Sequence, residues 1–160
     1  IDNSNYLVNS MSASDRGKLV EQLKADMAER ERQLVSLVQK TITGQANAFG
    51  MSGGNLYEKL SGLKVDEATR AKAEKDISED GYWGVKQTSQ RLFDFASALA
   101  GDDVEQMKKM QSAMEKGFKQ ATKAWGRDLP SISRSTLDAA NKLFEDYYKS
   151  KETSSSDAVK

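Results

Sequence analysis

Apolar residues recur every three to four positions over long stretches of the chain, which is the period of an amphipathic helix. The first stretch predicts a long helix from about Ser14 to about Ala46 with a wholly polar turn at 29–32. We interpret that turn as a solvated face, with a polar partner surface as the alternative. The apolar stripe of this helix is formed by Leu19, Leu23, Met27, Leu34, Val38 and Ile42.

The C-terminal half predicts an antiparallel helical hairpin. Residues 85–100 are apolar on most sides, which indicates a central, buried helix. Gly101 suits the end of that helix and Asp102 can cap the next, so the connecting turn should be tight. The next helix runs to Trp125 with the most regular apolar spacing in the chain, and we expect it to pack along its whole length with Phe118 buried midway.

A last helix and two short elements complete the predicted fold. Gly126 and Pro130 end the hairpin, and Ser131 or Ser133 begins a helix that reaches about residue 149. Its inner face consists of Leu137, Ala140, Phe144 and Tyr147 or Tyr148. Glycines 50, 53 and 54 break the chain ahead of a short helix at 55–61, and Asp66 caps a further helix that reaches about Ile77.

The predicted fold class is therefore an all-α bundle of four main helices and one or two short ones, with the antiparallel hairpin at its centre. We expect one domain at 14–149. Residues 1–13 are polar and should be partly disordered, although Tyr6, Leu7, Val8 and Met11 could dock. The Ser-rich tail at 150–160 has nothing to bury and should be disordered.

Composition narrows the classes of function. The 160 residues carry 24 Lys and Arg against 24 Asp and Glu, so no net field draws the chain to a polyanion and we expect no nucleic-acid binding. No apolar run approaches the roughly 18–20 residues of a spanning helix, so we expect no membrane insertion. Cysteine and histidine are both absent, which excludes disulfides, thiolate catalysis and the His-dependent triads.

The segment from Asp76 to Gly84 is the most distinctive part of the sequence, because two glycines and two aromatics separate two helical patterns. It also resembles the first half of an EF-hand calcium loop, which would span 76–87 with its sharp turn at Gly81. The candidate calcium ligands are the side chains of Asp76, Ser78 and Asp80 and the carbonyl of Tyr82. The twelfth position is Gln87, which lacks the carboxylate that closes such a loop.

A second interpretation of this segment, which we prefer, is purely structural. Asp80 and Gly81 end one helix, and Tyr82 and Trp83 plug the core at the entrance to the next. A third interpretation gives Tyr82 and Trp83 to a partner, because aromatic residues are common at binding hot spots.

Three segments resemble an uncharacterised bacterial family of all-helical domains whose members often carry the label "hydrogenase component G". They are Glu79 to Ala96 (EDGYWGVKQTSQRLFDFA), Gly117 to Ala121 (GFKQA) and Leu129 to Ser133 (LPSIS). The resemblance covers roughly residues 65–149 and leaves out the first helix. It implies a helical fold and transfers no catalytic residue, and without cysteine the chain offers no thiolate for a nickel or iron–sulfur centre.

The sequence favours a non-enzymatic protein-interaction or structural module, whose long first helix or Tyr82–Trp83 pair meets a protein partner. The alternative is a calcium-binding helical domain, and an enzyme that uses carboxylates alone is a third hypothesis. The chain begins at Ile1 instead of Met, so we expect a truncated N-terminus. The compartment, which could be the bacterial cytoplasm, the cell surface or the secreted fraction, and the oligomeric state stay open.

Overall fold

The computed structural model describes residues 6–43 and 64–158, with side chains at 6–40 and 64–153. These residues form six α-helices and no strand, which confirms the predicted all-α bundle. The helices are α1 (Leu7–Ser10), α2 (Ala13–Thr43), α3 (Glu67–Asp76), α4 (Val85–Ala100), α5 (Val104–Trp125) and α6 (Ser131–Ala158). The predicted glycine break at 50–54 and the short helix at 55–61 lie outside the described residues.

Helix α4 is the centre of the bundle and contacts α1, α2, α5 and α6. It runs antiparallel to α2. Arg16, near the start of α2, donates a hydrogen bond to the Ala98 carbonyl close to the end of α4, at 3.2 Å. Arg30, farther along α2, stacks on Tyr82 just ahead of α4. The part of α2 beyond Arg30 therefore extends past the start of α4.

The core is an aromatic cluster between α4 and α6. Phe93 is only 1% exposed, and Phe144 and Tyr147 are fully buried. The Phe93 ring meets that of Phe144 edge to face, with ring centroids 5.4 Å apart. Met107 from α5 closes the cluster. The inner face predicted for the last helix is confirmed at Ala140, Phe144 and Tyr147, and such edge contacts add stability beyond the buried area.

The turn between α4 and α5 is tight, but its capping residue differs from the prediction. Gly101 adopts a left-handed φ of 69°, a conformation that favours glycine. The N-cap of α5 is Asp103, whose carboxylate accepts from the Gln106 backbone N–H at 3.1 Å. The carboxylate of Asp102 instead accepts from the Tyr147 hydroxyl at 2.8 Å and from Lys151 at 2.6 Å.

Helix α5 does not pack along its whole length, contrary to the sequence prediction. Met107 is its one fully buried residue. Phe118, which we expected in the core, is half-buried because it borders a cavity of about 430 Å³ between α5 and the first turns of α6. Leu129 and Leu137 line the same cavity. Gly126 ends α5 in a left-handed conformation, as its position predicts.

Both ends of the described chain form helices. The partial disorder expected at 1–13 stays a prediction, and Leu7–Ser10 form α1 in this structure. The Tyr6 ring packs edge to face on Tyr147, with centroids 5.7 Å apart, and the Asn9 amide donates to the Gly101 carbonyl at 2.8 Å. At the other end, α6 continues to Ala158, whereas disorder was predicted from 150. The ion pair of Lys151 with Asp102 ties part of this extension to the bundle.

Candidate functional site

The segment between α3 and α4, which we call the joint (Ile77–Gly84), is a series of close turns that requires both of its glycines. The Trp83 backbone N–H donates to the Asp76 carbonyl at 2.7 Å, and the N–H of Gly81 donates to the Ser78 carbonyl at 2.9 Å. A Cβ atom at Gly81 would overlap the Asp76 carbonyl oxygen, and one at Gly84 would overlap the Ser78 carbonyl oxygen. The backbone of the joint therefore fixes the positions from which the Tyr82 and Trp83 side chains project.

Two of the four proposed calcium ligands are engaged in this structure of the joint. The Ser78 hydroxyl donates to the Lys75 carbonyl at 2.6 Å. The Tyr82 carbonyl accepts from the guanidinium of Arg91, so a positive charge already lies where the cation was expected. Among the described side chains, no group of three or more Asp, Glu, His or Cys residues is arranged to hold a metal ion. Calcium binding through Asp76 and Asp80 stays a prediction that this arrangement does not favour.

Tyr82 is held between two arginines from different helices. The guanidinium of Arg30, on α2, lies 4.1 Å from the centre of the Tyr82 ring. Arg91, on α4, lies 3.7 Å from it. Burial lowers the pKa of Arg91, as does the charge of Arg30, while the interaction with Tyr82 opposes both effects. This Arg30–Tyr82–Arg91 stack joins α2 to the start of α4, and cation–π contacts of this kind contribute about 0.5–2 kcal/mol each.

Trp83 points outward and does not plug the core, so that sequence interpretation is wrong. Its side chain is 40% exposed, and its ring packs at right angles to the Tyr82 ring with centroids 4.9 Å apart. The reason is that Tyr82 takes the inner position between the arginines, and the next side chain along the turn must then face solvent. The structure thus brings the two aromatics together but gives them different surroundings.

Trp83 lines an open cleft that we call the α2 cleft. Its walls are α2 side chains between Glu29 and Lys40, Lys72 and Asp76 of α3, and Trp83 itself, and it encloses about 570 Å³. Leu34 lines the cleft and is 52% exposed. One heptad earlier on the same side of α2, Met27 is 54% exposed.

Sequence reasoning identified the aromatic pair but missed Leu34, Lys40 and Lys72 as parts of the same surface. The signal was present in the helix lengths. The first helix is 31 residues long and its antiparallel neighbour α4 has 16, so at 1.5 Å per residue they measure about 46 Å and about 24 Å. A stripe of regular apolar residues on the longer helix cannot be covered by the shorter one.

A second polar network fastens α6 to the rest of the bundle. The Tyr148 hydroxyl donates to the Gln111 side-chain carbonyl at 2.8 Å. Burial raises the pKa of Tyr147, and its hydrogen bond to Asp102 raises it further. Burial alone would raise the pKa of Asp102, but the hydrogen bonds from Lys151 and Tyr147 lower it overall. Each of these groups is paired within the network, so we assign it a structural role.

Comparisons with known proteins leave the family open. No protein-family model, no curated protein and no solved structure matches the chain. The resemblance to the family labelled "hydrogenase component G" therefore stays a prediction. Within the described part of the chain, no helix is long and apolar enough to cross a membrane.

Proposed function

We propose that the protein is a non-enzymatic interaction module that binds another protein in the α2 cleft. The observation that carries this proposal is the pairing of two exposed apolar side chains, Trp83 and Leu34, in one open cleft. Exposed apolar side chains that share one cleft commonly mark a binding site.

The residue types in the cleft support a protein partner. Tryptophan and arginine are the side chains most enriched among binding hot spots, and Trp83 and Arg30 both line the cleft. Met27 extends the apolar surface along α2, and a methionine adapts its shape to a partner at little cost.

The joint supports the proposal because it holds Trp83 in place before a partner binds. Trp83 is fixed by its backbone hydrogen bond to Asp76 and by its edge contact with Tyr82. Tyr82 is fixed in turn by Arg30 and Arg91. A side chain that is held in place before binding loses less conformational entropy on binding, which favours affinity.

Site-specific crosslinking tests this proposal. A photo-reactive amino acid at position 34 should form adducts with one protein in an extract of the native cells. That protein is then identified by mass spectrometry, purified, and titrated against the full chain by calorimetry. Leu34→Asp should weaken this binding at least tenfold, because it places an unpaired charge against the apolar surface of the partner.

Leu99→Asp is the matched control. Leu99 is 48% exposed, close to the value for Leu34, and lies on α4 outside the cleft. Its replacement should leave the affinity unchanged. Equal losses from both variants, or no loss from Leu34→Asp, would place the binding surface elsewhere.

A further inference from the structure

We infer that the α2 cleft takes an amphipathic helix with acidic side chains along its flanks, and that it does not take a second copy of this chain. This inference rests on the proposed function and adds the chemistry of the partner. It follows from the shape, the apolar spacing and the charge of the cleft.

The shape of the cleft suits a helix. Its long wall is the part of α2 from Glu29 to Lys40, about 17 Å at 1.5 Å per residue. That length matches three turns of a partner helix lying along α2. Helix-in-groove recognition uses apolar side chains at helical spacing as anchors.

The apolar spacing continues a seam that the protein already uses. Helix α2 packs against α4, and on α2 Val20 is buried and Leu23 is half-buried. Met27 and Leu34 follow at the heptad spacing of Val20, with about half of their surface exposed. A helix that continues the direction of α4 past Arg30 would cover Leu34, as α4 covers the earlier part of α2.

The charge of the cleft selects an acidic partner. Its lining includes four positive side chains and two negative ones, although the chain as a whole is balanced. Glu29 is already paired with Arg32 at 2.6 Å. Within the described residues, neither Lys40 nor Lys72 forms an ion pair. Glutamates on the flanks of a bound helix would face these two lysines, and complementary charge increases both specificity and the association rate.

The same excess of positive charge argues against a second copy. In a two-fold symmetric dimer each subunit presents the same surface to the other. Pairing through the cleft would bring Lys40 and Lys72 of both subunits into one interface, and each subunit would add only two negative side chains against four positive ones. Like charges placed face to face oppose association.

Three synthetic peptides test the inference by fluorescence anisotropy with the full chain. The first is an 18-residue amphipathic helix with leucines on one face and glutamates on its flanks. The second carries lysine in place of each glutamate, and the third carries serine in place of each leucine. We expect the first to bind at least tenfold more tightly than either of the others, and to lose affinity several-fold between 50 and 500 mM NaCl.

Charge reversal in the protein supplies the matched variants. Lys40→Glu combined with Lys72→Glu should weaken binding of the acidic peptide at least tenfold and strengthen binding of the lysine peptide. Lys109→Glu combined with Lys116→Glu makes the same change of net charge at exposed positions on α5, outside the cleft, and should change either affinity less than twofold.

The outcomes separate this inference from the proposed function. If the lysine peptide binds as well as the acidic one, or if both double variants act alike, the acidic-helix inference is wrong. If sedimentation shows a dimer that Leu34→Asp dissociates, the occupant is a second copy. If a crosslinked partner depends on Leu34 but tolerates the reversal of Lys40 and Lys72, only the inference fails. If position 34 yields no specific partner, the proposed function itself fails.

Discussion

The α4–α6 core and the part of α2 beyond Arg30, which we call the overhang, are both rich in apolar residues, but the first is buried and the second is exposed. In the core, Phe93, Phe144 and Tyr147 interlock edge to face and are almost fully buried. Beyond Arg30, Leu34 and Leu37 stay exposed, and the Arg30–Tyr82–Arg91 stack joins α2 to the start of α4. The first region supplies stability, and the second presents apolar surface on a helix that this stack holds in place.

The difference shows that apolar periodicity alone does not indicate burial. The stripe on α2 is as regular as the one on α6, but a stripe is buried only where a neighbouring element reaches it. Helix α4 reaches Val20 and stops before Leu34. The five predictions below test how sharply stability and binding are divided between the two regions.

The largest expected effect is in the core. Phe93→Ala should lower the free energy of unfolding by about 3–5 kcal/mol, because it empties a fully enclosed site. Phe118→Ala should cost clearly less, since that ring already borders a cavity, and Leu34→Ala should cost less than about 0.5 kcal/mol. Urea unfolding of the three variants measures how their losses of unfolding free energy rank. A loss at Leu34 equal to that at Phe93 would show that the two regions do not differ in their contribution to stability.

The N-terminal segment should behave as part of the core. Tyr6→Ala removes the ring that packs against Phe93 and Tyr147, and we expect a loss of about 2 kcal/mol. The neighbouring Leu7 is largely exposed, so Leu7→Ala should leave the melting temperature unchanged. Thermal unfolding followed by circular dichroism compares them, and equal melting temperatures for the two variants would show that α1 does not stabilise the bundle.

The sequence predicts those features of the two regions that depend on local patterns, and it does not predict those that depend on contacts between distant residues. The inner face of α6 was predictable because its apolar residues recur at helical spacing and a neighbouring helix covers that face. The end of α5 at Gly126 was predictable because a left-handed glycine is a local feature. Tyr6 was recognised as able to dock, but the partners of Tyr6 and Asn9 were not predictable, since both contact residues about ninety positions away in sequence.

The candidate site was predicted only in part. Tyr82 and Trp83 were recognised as a pair, but which of them is the less exposed depends on Arg30 and Arg91, which come from two other helices. The calcium hypothesis considered only the residues within the loop. It had no means of detecting that a guanidinium from α4 would reach the Tyr82 carbonyl.

The two arginines of the stack should differ in importance. Arg91→Gln loses a cation–π contact and a charged hydrogen bond to the Tyr82 carbonyl, and should cost about 1.5–2 kcal/mol. Arg30→Gln loses the cation–π contact alone and should cost about 0.5–1 kcal/mol. Hydrogen exchange should then be faster in α2 beyond Arg30, while amides around Phe93 keep their protection. Uniform loss of protection would contradict a separate role for the overhang.

Alkaline pH should lower the stability that Tyr148 gives to the α4–α6 core. Burial, with nearby Glu115 and Glu105, raises the pKa of Tyr148 to about 12, above the value near 10 in an unfolded chain. A raised pKa stabilises the fold fully below pH 10, and that contribution is lost as the pH rises towards 12. Urea midpoints at pH 8, 10 and 11 should therefore fall, and the fall should be shallower in Tyr148→Phe. Parallel curves for the two proteins would remove Tyr148 as a cause.

At Trp83 the expected effect on stability is small and the expected effect on binding is large. Trp83→Ala removes an exposed side chain whose ring touches Tyr82 at its edge, so the free energy of unfolding should fall by less than about 1 kcal/mol. The same variant should weaken the glutamate-flanked peptide at least tenfold, as loss of a central aromatic anchor does. Urea unfolding and peptide anisotropy on one preparation give both numbers. A loss of 3–5 kcal/mol in stability would instead place Trp83 among the buried aromatics, and unchanged peptide affinity would remove it from the binding surface.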